Sequence, residues 1–307
     1  MNFKYLVIIF IIALINTNIS EKILIKYKVG DQIITNVDIE KEKKYLTFIR
    51  PNLKKLSNED LIKISENSLI REIIKKKELD KILKEFEFAD YEEQLKKNLF
   101  SYKNVKSEEE FKQLLKKNNL SYSEVLDKVK NEELWNELVF NKFNSLLKIN
   151  ENNLRKDLQI KISTIKKFEY NLSEILFEID KNIELDDKYL DILENVKKNS
   201  FKVAATKFSI SNSSINGGEI GWVKETLLSN ELNNIIKNMK IDEITKPIKY
   251  PNGYLILKLN DKKEIKQKID FERELKELIA FEKNKQLNQF SLLYYKKLKQ
   301  NTVINEY

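Results

Sequence analysis

Hydrophobic positions in the first part of the chain follow a strand period and then a helix period. Apolar residues alternate from Ile23 to Val29, and after Gly30-Asp31 a second short apolar stretch ends at Thr35. Because alternate side chains of a strand lie on one face, this pattern predicts a small β-hairpin. From Thr35 onward, apolar residues recur at the three- and four-residue spacing that predicts amphipathic helices.

Local signals divide this helical region into separate helices. A hydroxyl residue stands three positions before a carboxylate, as in an N-terminal capping box, at Thr35–Asp38, Ser107–Glu110 and Ser121–Glu124. The helices predicted from these starts cover about 37–49, 107–118 and 121–147, and apolar spacing predicts a long helix over 57–86. Residues 36–160 are therefore expected to be nearly all helix.

The pattern changes after Phe168. Residues 168–179 are rich in β-forming residues, helices are predicted over about 186–198 and 201–207, and short strands follow up to Leu259. Four of the five glycines fall within 217–253. Glycine is favoured where the backbone turns tightly or approaches another strand closely, so this segment is predicted to be a separate domain.

A helix of about thirty residues is predicted after Asp261. Its apolar stripe consists of Phe271, Leu275, Leu278, Ile279, Leu287, Phe290, Leu293 and Leu298. An exposed stripe of this length needs a partner, and the N-terminal helices also have apolar faces to cover. We therefore expect the two helical parts to form one module, with the domain at 168–260 inserted between them.

Residues 1–20 have the pattern of a secretory signal peptide. Lys4 precedes the apolar run Leu6–Ile15, and a polar stretch ends at Ser20. A membrane-spanning helix needs about 20 apolar residues, so a cleaved signal peptide is favoured over a retained anchor. The cleavage site stays open, because Asn18 is a poor match to the small residue expected at that position.

Composition excludes several kinds of site. Histidine and cysteine are both absent, which rules out thiol nucleophiles, disulfides, Ser-His-Asp triads and Cys/His zinc sites. The five glycines lack the spacing of a Walker A or GxGxxG loop. The net charge of +8 comes mainly from lysines scattered among acids, with few arginines, which argues against a nucleic-acid-binding protein. No metal site and no cofactor are predicted.

A series of motifs follows one another in the second half of the chain. They are NLSEIL at 171–176, FKVAATKFS at 201–209, NGGEIGW at 216–222, EITKP at 243–247 and GYLILKL at 253–259. In this order and spacing the motifs resemble a parvulin-type peptidyl-prolyl isomerase domain. With the signal peptide, the hairpin and the helical parts included, the chain resembles the SurA-type periplasmic chaperones of Gram-negative bacteria, with one parvulin domain.

The resemblance implies an α+β fold, in which a four-stranded antiparallel sheet flanked by helices is inserted into a mostly helical chaperone module. The expected divisions are a signal peptide at 1–20, an N-terminal helical chaperone domain at 21–160, a parvulin-like domain at 165–262, and a C-terminal helix at 265–300 that packs on the N-terminal domain. The implied function is that of a periplasmic chaperone or foldase. Its partners would be unfolded or extended polypeptides, such as outer-membrane protein precursors.

The polar centres of the family's isomerase site are changed in this chain. By the resemblance, the family's first histidine corresponds to Glu174, its cysteine or aspartate to Ser211, and its second histidine to Leu255. Proline isomerisation needs no covalent intermediate, so the missing histidines alone do not exclude activity. A carboxylate near the substrate carbonyl would oppose its developing polarity, however, and we expect weak or absent isomerase activity.

The resemblance also assigns residues that would bind the substrate. The proline pocket corresponds to Ile220, Leu228 and Leu232, which are apolar as such a pocket requires and are equally consistent with ordinary core residues. Tyr250 and Asn252 flank the same cleft, where they could hydrogen-bond a peptide backbone or serve as plain strand and loop residues.

Two other functions and one other binding surface remain open. An active isomerase with an atypical histidine-free site would use the retained apolar pocket, and a membrane-tethered secretion foldase would keep residues 1–20. Trp135, Phe140 and Phe143 are candidates for an apolar polypeptide groove. Packing in the helical core is the favoured interpretation of these three aromatic residues.

Overall fold

The computed structural model of the protein describes residues 22–81, 89–164, 168–179, 183–265 and 270–307. The signal peptide predicted at 1–20 lies outside the described residues. Within these ranges, helices form most of residues 36–164 and 271–300, and a four-stranded sheet lies between them along the chain. No helix in these described ranges is long and apolar enough to cross a membrane.

The N-terminal part begins with a hairpin and continues through helices; together with the C-terminal helix it is called the helical module. Strands β1 (Ile25–Val29) and β2 (Gln32–Thr35) form the predicted hairpin. The helices that follow are α1 (Asn36–Ile49), α2 (Asn58–Leu79), α3 (Ala89–Tyr102), α4 (Glu108–Lys117), α5 (Tyr122–Phe143) and α6 (Glu151–Thr164).

The predicted capping pairs start the helices that follow them. Thr35 and Asp38 form a reciprocal capping box at α1, and the hydroxyls of Ser107 and Ser121 accept hydrogen bonds from the backbone at α4 and α5. These three starts are confirmed. Two predicted helix ends are not confirmed. Helix α2 ends at Leu79 rather than at 86, and α5 ends at Phe143 rather than at 147, because a short 3₁₀ turn follows it.

A third strand completes the N-terminal sheet. Strand β7 (Ile304–Glu306) pairs with β1, which gives the order β2-β1-β7. The residues on the inner face of this sheet, Val29 and Ile34, pack with Ile304 against α2. The sequence did not predict β7, because three residues are too few to show an alternating pattern.

The inserted domain, here called the sheet domain, has the expected α+β fold. Its elements are β3 (Phe168–Phe177), α7 (Leu185–Lys198), α8 (Phe201–Phe208), β4 (Glu219–Lys224), α9 (Asn230–Ile236), β5 (Ile248–Tyr250) and β6 (Gly253–Glu264). The strands lie in the order β4-β3-β6-β5, and all neighbours are antiparallel. This arrangement confirms the predicted fold class.

Alternate residues of β3 and β6 divide between two apolar cores. Ile175 and Ile256 face helices α7 and α8, whereas Leu176, Leu255 and Leu257 belong to a core on the opposite face. The second face is the one that carries Glu174, since Glu174 lies two residues before Leu176 in the strand. It is also the face on which α9 packs.

The C-terminal helix α10 (Phe271–Gln300) contacts both parts of the molecule. Asp270 caps its first turn, and the helix packs against α2, α5 and α6 of the helical module. The indole nitrogen of Trp135 donates a hydrogen bond to Ser291 at 2.9 Å, and the Trp135 and Tyr294 rings stack with centroids 5.5 Å apart. Trp135 is therefore a core residue, whereas Phe140 is 48% exposed.

A further apolar cluster joins α8 to the first helices. Val203, which is completely buried, packs with Leu46, Leu53 and Leu56. The sheet domain therefore contacts the helical module at this cluster as well as along α10.

Replacing Leu53 with alanine is expected to lower the free energy of unfolding by about 2–5 kcal/mol, because a cavity would open in the cluster shared by the two parts. Urea denaturation followed by circular dichroism measures the change. The matched control is Leu146→Ala, whose side chain is 54% exposed and whose loss should change stability by less than about 0.5 kcal/mol. Equal effects of the two substitutions would contradict the buried contact.

Candidate functional site

A carboxylate on the sheet face opposite α7 and α8 accepts hydrogen bonds from two serines. The hydroxyl of Ser211 donates to Glu174 Oε1 at 2.6 Å, and that of Ser213 donates to the same oxygen at 2.8 Å. The structure thus brings together Glu174 and Ser211, two residues singled out from the sequence. Ser213 was not singled out; its position two residues after Ser211 in a Ser-Asn-Ser turn is the signal that could have found it.

Backbone contacts hold the carboxylate and the serines in place. The Glu174 amide donates to the carbonyl of Gly218 at 2.8 Å. A Cβ at Gly218 would come within 2.3 Å of the Glu174 carbonyl oxygen, and φ is +79° there, so the position requires glycine. On the other side, the Ile210 amide donates to the Leu176 carbonyl at 2.7 Å, which ties the serine loop to β3.

Apolar side chains form the other half of this site. Leu255 lies opposite Leu176 in the register of β3 and β6 and is 3% exposed. Leu232 and Tyr250 pack against the core to which Leu255 belongs. The position that the family resemblance assigns to a second histidine therefore offers no hydrogen bond. Glu174, Ser211, Ser213, Tyr250 and Leu255 are called the sheet-face site below.

The phenol of Tyr250 stays protonated at neutral pH. Burial raises the pKa of Tyr250 above its usual value, and the negative charges of Glu174 and Glu282 raise it further, whereas a hydrogen bond with Gln289 lowers it. Tyr250 can therefore donate a hydrogen bond to a ligand, while Glu174 already accepts hydrogen bonds from both serines.

The three residues assigned to the proline pocket do not all meet. Leu228 and Leu232 pack against the core of the sheet-face site. Ile220 is 39% exposed and lines a separate cavity of about 310 Å³ with Pro51 and Leu53. An irregularity in the β3–β4 pairing next to Gly221 shifts Ile220 out of the strand alternation, which sequence spacing does not reveal.

A larger cavity, here called the intermodule cavity, lies between the helical module and the sheet domain. Its volume is about 1160 Å³. Its lining includes Asn67, Arg71, Lys75 and Asn131 from the N-terminal helices, Lys207, Ile210, Asn252 and Tyr254 from the sheet domain, and Leu292, Leu293 and Lys296 from α10. The buried side-chain nitrogen of Asn252 has no hydrogen-bond partner among the described residues.

Cations and acids share the lining of this cavity. Lys75 forms an ion pair with Glu132 at 2.8 Å, and Lys296 forms one with Glu178. Burial lowers the pKa of Lys75, although the carboxylate of Glu132 opposes this effect. The cavity is therefore polar along its walls, with the apolar side chains of α10 between the charges.

Comparison with known proteins agrees with this geometry. Residues 175–261 match the Rotamase family, described as the PPIC-type PPIASE domain. The chain contains a parvulin domain. The family match includes Leu255 and both serines, whereas Glu174 lies one residue before its first matched position.

The chain is also similar to curated SurA chaperones. It is 33% identical to that of Pseudomonas putida over 102 residues, which are 31% of this chain and 24% of that protein. It is 30% identical to that of Buchnera aphidicola over 197 residues, which are 60% of this chain and 42% of that protein. The periplasmic chaperone PpiD of Buchnera aphidicola is 39% identical over 118 residues, 38% of this chain and 18% of that protein. The chain thus spans less than half the length of these relatives, and the resemblance to SurA-type chaperones with a parvulin domain is confirmed.

The chain also aligns with two solved structures. A PpiC-type isomerase domain has 27% identity and a TM-score of 0.28, and the match covers 32% of this chain and 93% of that one. A structure of the SurA-like chaperones PEB4 and Cj1289 of Campylobacter jejuni has 15% identity and a TM-score of 0.39, and the match covers 92% of this chain and 98% of that one.

Removing the hydroxyls of Ser211 and Ser213 together, as alanines, is expected to lower the free energy of unfolding by about 1.5–3 kcal/mol, because a half-buried carboxylate would lose both donors. Adding Glu174→Met removes the carboxylate itself. The triple variant should then lose less unfolding free energy than the double serine variant and Glu174→Met lose together. Urea denaturation should show a difference of at least about 1 kcal/mol. Strictly additive losses would show that the three side chains do not form one cluster.

Proposed function

We propose that the protein is a SurA-like periplasmic chaperone that binds unfolded exported polypeptides in the intermodule cavity. The observation that carries the proposal is the size and position of this cavity, about 1160 Å³ between the helical module and the sheet domain. Small-molecule pockets usually occupy about 300–1,000 Å³, so this cavity has room for several side chains of an extended chain.

The lining suits a ligand without a fixed sequence. Leu292, Leu293 and Ile210 offer apolar contacts, and Arg71 offers a cationic donor for peptide carbonyls or acidic side chains. An unfolded polypeptide presents both kinds of group at irregular intervals. Binding through scattered apolar contacts, with polar groups between them, selects for unfolded chains rather than for one sequence.

Two further observations support export and chaperone activity. The N-terminal residues have the signal-peptide pattern described above. Curated relatives of this chain are named SurA chaperones, and another is named a periplasmic chaperone. Outer-membrane protein precursors are the clients we propose, because they must cross the periplasm before they fold.

The sheet-face site supports polypeptide binding better than isomerase turnover. Glu174 places a negative charge where the peptide carbonyl would become more polar, and Leu255 offers no donor to offset it. Leu232, which is partly buried, still provides an apolar surface, whereas Leu228 is buried in the core beneath it. A histidine-free isomerase that uses this surface is the second candidate function.

The chaperone proposal predicts that the protein suppresses aggregation of an unfolded β-barrel protein diluted from urea, as measured by light scattering. Leu293→Asp places a charge in the intermodule cavity on a side chain that is 50% exposed, and suppression should fall severalfold. The matched control is Leu190→Asp, 56% exposed on α7 and outside the cavity lining, which should suppress as the unchanged protein does. No suppression, or equal losses in the two variants, would count against the cavity as the client site.

Isomerase turnover is tested by NMR magnetisation transfer between the cis and trans forms of a short X-Pro peptide. We expect at most a weak acceleration of the uncatalysed isomerisation, which takes tens to hundreds of seconds. Exchange accelerated tenfold or more, and lost in Leu232→Ala, would instead establish the second candidate function.

A further inference from the structure

Helix α10 crosses the face of the sheet that carries the sheet-face site. Phe281 and Leu292 of this helix pack against the core that contains Leu176 and Leu255. The two residues are eleven positions apart, which is about three helical turns, so they project from the same side of α10. That side of the helix is thus in contact with the apolar half of the site.

The same side of α10 also has polar residues close to the polar half of the site. Asn288 accepts a hydrogen bond from Asn212, the residue after Ser211, at 3.2 Å. Gln289 lies close enough to Tyr250 to lower the pKa of that phenol, whereas the nearby negative charge of Glu174 raises it. The helix side chains therefore approach the groups that an extended peptide would have to contact.

The opposite side of α10 is held by the helical module. Ser291 accepts from the Trp135 indole at 2.9 Å, and the Tyr294 hydroxyl donates to Glu78 of α2. Because these contacts keep this part of α10 on the helices, separation at the sheet-face site would move the sheet domain away from it. The Val203 cluster and the hydrogen bonds from Lys224 and Thr226 to Glu274, at the start of α10, would have to loosen in that movement. The intermodule cavity would widen in the same movement, since Leu292 and Asn212 line it.

We propose that α10 is an internal cover of the sheet-face site: prolyl peptide binding at this site and packing of α10 against it exclude each other. The apparent affinity of the site for a peptide is then reduced by the fraction of molecules in which α10 is packed. This proposal concerns access to the sheet domain and does not rest on the chaperone activity proposed above.

A reversible cross-link tests the cover directly. The chain has no cysteine, so Asn212→Cys/Asn288→Cys provides a single pair of thiols across the contact, and a short bismaleimide with an internal disulfide bridges them. Binding of a fluorescein-labelled Ala-Leu-Pro-Phe peptide is followed by fluorescence anisotropy. We expect the bridged protein to bind at least tenfold more weakly than the unbridged one, and reductant to restore binding.

A matched pair on the other face of the sheet is the control. Asn195 and Asn199 of α7 also share a side-chain hydrogen bond, at 3.3 Å, and bridging Asn195→Cys/Asn199→Cys should leave peptide binding unchanged. In a second arm, Phe281→Ala/Leu292→Ala weakens the packing of α10 and should strengthen peptide binding at least fivefold, with the fold checked by circular dichroism.

Three results would overturn the proposal. Equal peptide binding by the bridged and unbridged Asn212/Asn288 pair would show that α10 does not exclude the peptide. Equal loss of binding in the α7 control would show that the effect comes from cross-linking alone. A folded Phe281→Ala/Leu292→Ala variant that binds the peptide no better than the unchanged protein would show that loosening α10 does not open the site. Suppression of client aggregation is measured on the same proteins. It shows whether the proposed chaperone function holds when the cover proposal fails.

Discussion

The molecule depends on one constraint: helix α10 has apolar side chains on more than one of its sides, and each of these sides must be covered. At 30 residues it is about 45 Å long, and residues of both neighbouring parts cover it. Trp135 and Leu134 cover it from α5, and the core around Leu176 covers Phe281 and Leu292 from the sheet domain. One helix thereby contacts both parts and forms a wall of the cavity between them.

The position of the sheet-face site follows from this arrangement. A carboxylate that accepts hydrogen bonds from two serine hydroxyls lies next to an apolar core. The helix that joins the parts packs on that core and hydrogen-bonds Asn212, which lies between the two serines in the chain. The chemistry at Glu174 is poorly suited to polarising a peptide carbonyl, whereas the geometry is suited to holding or excluding an extended chain. The proposed polypeptide binding at the cavity and the proposed control of access to the sheet domain would both follow from this one contact.

Short-range signals in the sequence predicted the structural features that are decided by residues close together along the chain. The capping pairs gave the starts of α1, α4 and α5, the glycine turns marked the sheet domain, and the apolar stripe gave α10. Glu174 and Ser211 were found through the motifs of the family and lie together. The sequence could not predict the position of Ile220, because an irregularity in strand pairing sets it. It could not predict strand β7 or the packing of Phe281 on the sheet domain either, because both depend on contacts between distant segments.

The most direct test of the account is photo-cross-linking of an unfolded β-barrel client to the protein. A benzophenone amino acid is introduced at Leu293, inside the intermodule cavity, or at Leu190, which is exposed on α7 outside its lining. If α10 and the sheet domain enclose the client site, Leu293 gives the cross-linked client in large excess over Leu190. Equal yields at the two positions, or a higher yield at Leu190, would contradict the account.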